Sequence, residues 1–155
     1  MLTWLLLVAL SFRQWIWSPV VITGHSMSPT WSNGELTGVN KLAYVFHSPQ
    51  RGDVVFVWTG SELLIKRIVA LPGEEVSAHE GTFYVNGAPI QEPYVQFHGC
   101  WRIAPGKLGP GRFLIAGDNR SQTLLSVVRR DRIVGRLSPL PSGSSDSKRE
   151  KRNPA

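Results

Sequence analysis

LLIKRIVALPGE, residues Leu63 to Glu74, is an aliphatic run closed by a Pro72-Gly73 turn. Its length and punctuation mark a strand rather than a helix. Lys66 stands in its middle, among Leu64, Ile65, Ile68 and Val69. Lysine is seldom buried unless paired, and an ammonium placed among aliphatics loses hydration, which lowers its pKa. A lysine held in that state can act as a general base. Strand alternation puts Lys66 on one face with Leu64 and Ile68, and Arg67 on the other with Ile65. A snorkelling lysine on an edge strand is the other reading that this segment allows.

Working outward, similar runs recur at short intervals. Val20–Thr23, Asp53–Trp58, Arg112–Ala116 and Ile133–Leu137 read as strands rich in Val, Ile, Leu and Phe. Thr82–Val85 leads into Asn86-Gly87, a hairpin signal, with Ala88–Ile90 returning. Pro105-Gly106 and Gly109-Pro110-Gly111 read as turns. Only Ser121–Arg130 has room for a short helix. Strands at this spacing predict a mostly β fold of antiparallel sheets, a sandwich or open barrel. No internal repeat is visible.

The 155 residues suit one domain, and 42% apolar with 18% charged residues is globular composition. Cys100 is the single cysteine, so neither an intrachain disulfide nor an all-cysteine zinc site can form. The formal charge is +6. Residues 141–155 contribute +2 of it, leaving +4 on the rest. A basic surface suits nucleic acid or an anionic membrane, and sign alone does not choose. No helix offers a clustered arginine face for reading a DNA groove, so no nucleic-acid partner is expected.

The division expected is 1–17, a membrane anchor; 18–140, a catalytic domain; and 141–155, a disordered basic tail. Leu2–Phe12 is an apolar run, interrupted further on by Arg13 and Gln14. A full span needs roughly 20 residues, or about 17 at the short limit. Three readings stand: a short span with Trp15 and Trp17 at the interface, an anchor lying in the interface, or a cleaved signal peptide. The absence of a basic leading segment and of a small-residue cleavage site favours the anchor readings. Arg13, on the C-terminal side of the run, argues against export of the domain after it. The end, PSGSSDSKREKRNPA, is too polar to offset its own ordering entropy.

His25, His47, His79 and His98 show no close ligand spacing, and no metal or cofactor is expected. There is no phosphate-binding glycine loop. Gly24-His25-Ser26-Met27-Ser28 lacks the closing glycine of a nucleophile elbow. GHSMSPT, Gly24 to Thr30, nevertheless places Ser26 directly after a β-branched strand. Alone, Ser26 reads as a turn serine and RGDVVFVW, Arg51 to Trp58, as structure only. Serine together with a desolvated lysine is a nucleophile–base pairing.

The ordered blocks GHSMSPT, RGDVVF, LIKRIVALPGE, YVNG and AGDNRS resemble the type I signal peptidases, from Pro19 to Leu137. A lysine in place of a histidine resembles the bacterial and organellar branch. The resemblance implies a membrane-anchored serine endopeptidase with its catalytic domain outside the bacterial cytoplasmic membrane. Its partners would be signal-peptide-bearing preproteins and membrane lipid. It implies Ser26 as nucleophile, Lys66 as neutral general base and the Ser26 N–H as an oxyanion donor. Gly24 stands where some relatives carry a serine hydroxyl as a second donor. Thr123 falls where the family places a hydroxyl bonded to the lysine, so Thr123 would orient Lys66. Ile22, Met27 and Ile65 would lie in the substrate-binding region, Met27 beneath the nucleophile. Asp118, Asn119 and Arg120 match a block that is mainly architectural. One departure is clear. Relatives commonly carry an acid and an arginine, taken to be paired, where this chain has Leu125 and Val127. A silent binding domain, or a specialised peptidase for pilin or conjugation proteins, are the alternatives this leaves.

Overall fold

Alternation between buried and exposed positions builds most of the strands, and the exceptions are informative. The computed structural model describes residues 17–138. The readings of residues 1–16 as anchor and 141–155 as tail lie outside them. Eleven strands form two antiparallel sheets. They are β1 Trp17–Val21, β2 Leu36–Asn40, β3 Val54–Trp58, β4 Leu63–Ala70, β5 Glu75–His79 and β6 Thr82–Val85. β7 Ala88–Pro89, β8 Ile103–Lys107, β9 Arg112–Ala116, β10 Ser126–Arg129 and β11 Ile133–Ser138 complete the set. The larger sheet runs β1-β2-β11-β3-β4-β9-β10 and the smaller β7-β6-β5-β8.

β4 is central in the larger sheet, between β3 and β9, and its last five residues are all buried. A strand covered on both faces loses alternation and reads as a continuous apolar run, which is the pattern of Ile68-Val69-Ala70. Three apolar clusters follow. One, with Val69, Phe83 and Leu114, joins the two sheets. A second, with Val55, Ile68, Ile115 and Tyr44, packs on the larger sheet. The third, with Ile22, Met27, Trp31, Val39 and Leu137, lies under the segment that carries Ser26.

Three expectations need correction, and one strand goes unread in the sequence. Trp17, expected in the anchor, belongs to β1, where it pairs with Asn40. Ser121–Arg130 holds no α-helix. Ser126–Arg129 pairs with β9 and buries Val128, and only Arg130–Arg132 makes a single 3₁₀ turn. Pro105-Gly106 lies inside β8 rather than in a turn. β8 is an edge strand, where a proline without an N–H is tolerated. Finally, Gly38 masks β2 in the sequence. The Trp17 ring lies across that glycine, and an added Cβ would come within 1.8 Å of it. A glycine in a strand here marks a close approach, not a break.

Candidate active site

Lys66 reaches its place because β4 lies inside the sheet, with Val55 of β3 directly beside it. The residue is 7% exposed. Its Nζ lies 2.8 Å from the Ser26 Oγ. Burial holds the ammonium below its ordinary pKa, against the opposing pull of Glu62 and Asp118. Desolvation is the largest cause of that shift and brings the neutral amine closer to reach.

Ser26 sits in the loop that follows β1, and the loop is tied at its neck. The Ile22 N–H donates to the Glu35 carbonyl and the Gly34 N–H to the Ile22 carbonyl, at 2.9 and 2.8 Å. The Trp31 N–H donates to the Met27 carbonyl, and the Gly24 N–H to the Asn33 Oδ1. Gly24 has a φ of +90°, which favours glycine, and its Cα faces open space. The Ser26 carbonyl accepts the Asn119 N–H at 3.0 Å. Gly117 presses against the same carbonyl, where a Cβ would come within 2.2 Å. The segment Gly117–Arg120 therefore holds Ser26 from its carbonyl side.

Two buried ion pairs fix that segment in turn. Arg67 Nε and Nη2 donate to the two Asp118 oxygens at 2.8 and 2.6 Å, a bidentate fork. Arg67 Nη1 donates to the Gly52 carbonyl. Arg120 is 1% exposed and donates through Nη2 to Glu92. Arg51 bonds the Val69 carbonyl and Glu74, joining the start of β3 to the end of β4. No group of three or more His, Cys, Asp or Glu side chains suited to a metal occurs among the described residues.

With this geometry in view, the relatives are informative. Residues 1–139 match the family described as signal peptidase, peptidase S26. The chain belongs to that family. Signal peptidase I T of Bacillus subtilis is 32% identical over 146 residues, covering 83% of this chain and 76% of that protein. A probable signal peptidase I-1 of Synechocystis is 34% identical over 129 residues, covering 76% of this chain and 65% of that one. Signal peptidase IB of Staphylococcus aureus is 28% identical, covering 89% and 87%. A crystal structure of a signal peptidase I from Enterococcus faecalis shares the fold, with a TM-score of 0.52 and 23% identity. It covers 59% of this chain and 97% of that one. As a signal peptidase family member the chain is a serine endopeptidase.

In this signal peptidase family member, the residues expected at the site separate into three groups. Ser26 and Lys66 meet directly, 40 residues apart in sequence. Thr123 is close to them but not bonded to Lys66: its hydroxyl accepts the Gly117 N–H at 3.0 Å and faces the Leu124 carbonyl. Its position thus braces Gly117 and, through it, the Ser26 carbonyl. Ile22 is 2% exposed and Met27 equally buried, both within the third cluster. They form a floor under the loop, and only Ile65, half-buried, presents surface. Leu125 packs against the first cluster, whereas Val127 is 48% exposed, so the departure does not replace a fully buried pair. Sequence reasoning misses Glu92 and Tyr94, the partners of the two buried arginines. Their only signal is a charged residue and an aromatic in a proline-bearing loop, which reads as ordinary surface.

Proposed function

We propose that this chain is a membrane-anchored serine endopeptidase that cleaves signal peptides from exported preproteins by a Ser26–Lys66 dyad. The observation that carries this reading is the 2.8 Å approach of a desolvated lysine amine to a loop serine. While Lys66 is charged, its Nζ donates to Oγ. Once neutral, it accepts the Oγ proton. Oγ then attacks the scissile carbonyl carbon, and the oxygen takes up the negative charge. The Ser26 N–H donates to that oxyanion, as such donors must point where charge develops. Collapse expels the new amino terminus, which takes its proton from Lys66, and leaves an acyl-serine. A water, deprotonated by Lys66 in the same way, releases the signal peptide and restores Ser26.

The substrate enters extended over the open side of Gly24 and pairs with a strand edge. Half-buried Ile65 limits the side chains accepted to small ones, as the small-residue rule at signal-peptide cleavage sites requires. The apolar N-terminal run and the basic surface hold the domain at the outer face of a bacterial cytoplasmic membrane, where substrates emerge.

Cleavage of a purified preprotein in detergent micelles tests the dyad. Ser26→Ala and Lys66→Ala are each expected to fall to background while remaining folded, and the double variant to be no worse than either. Lys66→Arg is expected to be dead, because arginine does not deprotonate near neutrality. Turnover above background in Lys66→Ala overturns the assignment.

A further inference from the structure

Both dyad residues have an arginine one step away from their point of attachment. Arg67 follows Lys66 in β4, and Arg120 follows Asn119, whose N–H holds the Ser26 carbonyl. Both arginines are buried, and the same short segment covers both. The Arg67 guanidinium lies 3.8 Å from the centre of the Tyr94 ring. The Tyr94 hydroxyl donates to Glu92 Oε1 at 2.8 Å, and the same carboxylate oxygen accepts from Arg120 Nη2. Asp118 closes the circuit by pairing with Arg67. The segment continues along the nucleophile's support: the Arg120 N–H donates to the Phe97 carbonyl, and Gly99 packs on the Arg120 carbonyl.

We propose that Glu92 and Tyr94 are positioning residues for cleavage, a clasp that holds Arg67 and Arg120 and thereby sets the Ser26–Lys66 approach. This rests on the dyad reading above. Three physical facts support it. Arg120 Nε and Nη1 have no hydrogen-bond partner, and Glu92 is the one carboxylate among the described residues that pairs with this buried charge. Leaving a buried charge alone is costly, so the arginine follows the carboxylate. A guanidinium stacked on an aromatic face is held in plane and direction as well as in place. Burial and the neighbouring Glu92 raise the Tyr94 pKa, so its hydroxyl stays a donor throughout the working range. The charged groups that act on Lys66 itself are Glu62 and Asp118, and Asp118 is the clasp's own member.

The test uses the full chain and three variants, each read by melting, by kcat and KM, and by the acidic limb of kcat/KM against pH. Tyr94→Leu removes both the stack and the hydroxyl. Tyr94→Phe keeps the stack, and Glu92→Gln keeps the shape but removes the charge. Misplacement of reacting groups by about 1 Å costs on the order of a hundredfold in rate. Tyr94→Leu and Glu92→Gln are therefore expected to lower kcat by about tenfold to a hundredfold with KM within about twofold. The acidic limb should move toward the ordinary lysine value as water reaches Lys66. Tyr94→Phe should fall between them and the parent. Losses of rate that match the loss of folded protein, with the limb unmoved, overturn the clasp and leave a structural role only. Unchanged kcat in Tyr94→Leu overturns it as well. If the parent itself shows no limb below the ordinary lysine range, the dyad reading fails instead, so the two failures are distinguishable.

Discussion

Lys66 is a desolvated amine, and its burial has consequences for stability against pH. Burial lowers the Lys66 pKa, so the folded protein releases this proton at a lower pH than the unfolded chain does. Below the lowered value both states are protonated and the fold carries the full cost of a buried charge. Between the lowered value and the ordinary one, about 10.4, only the unfolded state binds the proton, so stability rises with pH across that window. On the dyad reading, cleavage depends on the same neutral amine. kcat/KM is therefore expected to climb with pH through an apparent pKa below about 10, and Glu62→Gln, which removes a charge favouring the ammonium, should move that limb down. A pH series on parent and variant checks both signs. A limb that moves up in Glu62→Gln would contradict this balance of burial and charge. At this scale the sequence is generous, because serine and lysine carry their chemistry in their names. It is silent on the bond from the Gly117 N–H to the Thr123 hydroxyl, which no pattern of side chains reveals.

Elements are legible where one face or both faces are uniformly apolar, as in β3, β4, β9 and β11. They are hidden where other requirements set the residues. β2 contains Gly38 because a tryptophan ring crosses it, and β8 contains Pro105 because it is an edge. β10 passes for helix in sequence because Ser121–Arg130 lacks turn residues. Its pairing with β9 is a tertiary contact that a local pattern does not report. The departure from the family at Leu125 and Val127 belongs to this same stretch. Leu125 is packed against the first cluster, so Leu125→Asp is expected to cost about 1–3 kcal/mol for an unpartnered polar group. Val127 is half in water, so Val127→Arg should stay within about 0.5 kcal/mol. Leu125 directly precedes β10, and Val127 lies two residues on within it. Together they should recover under about 1 kcal/mol, the coupling of a partly exposed ion pair. Denaturant melts of the four proteins decide it. Strictly additive losses would show that the two side chains do not meet.

At the scale of the whole molecule, Lys66 and Ser26 come from separate elements and meet only in the folded chain. Lys66 belongs to a central strand, Ser26 to a loop after an edge strand, and the brace at Gly117–Arg120 follows β9. The partners of Ser26 and Lys66 named above lie among the described residues, in separate strands and loops of the domain. The three clusters are likewise built from those residues. What residues 1–16 add, on the proposed reading, is location. Membrane attachment raises the local concentration of enzyme near membrane-presented substrate, as a tether does, without any new contact at the site. Removing residues 1–16 is expected to leave a folded domain whose kcat/KM on a soluble peptide is within about twofold of the parent. Cleavage of a preprotein presented in vesicles should fall by about a hundredfold or more, the scale of a lost tether. Trp17 must be kept, because it pairs with Asn40 and covers Gly38. Extending the deletion through Trp17 should lower the melting temperature by a few degrees, as loss of roughly 1 kcal/mol does in a domain of this size. Equal losses on the soluble peptide and in vesicles would show that the first sixteen residues are part of the catalytic fold and not an anchor.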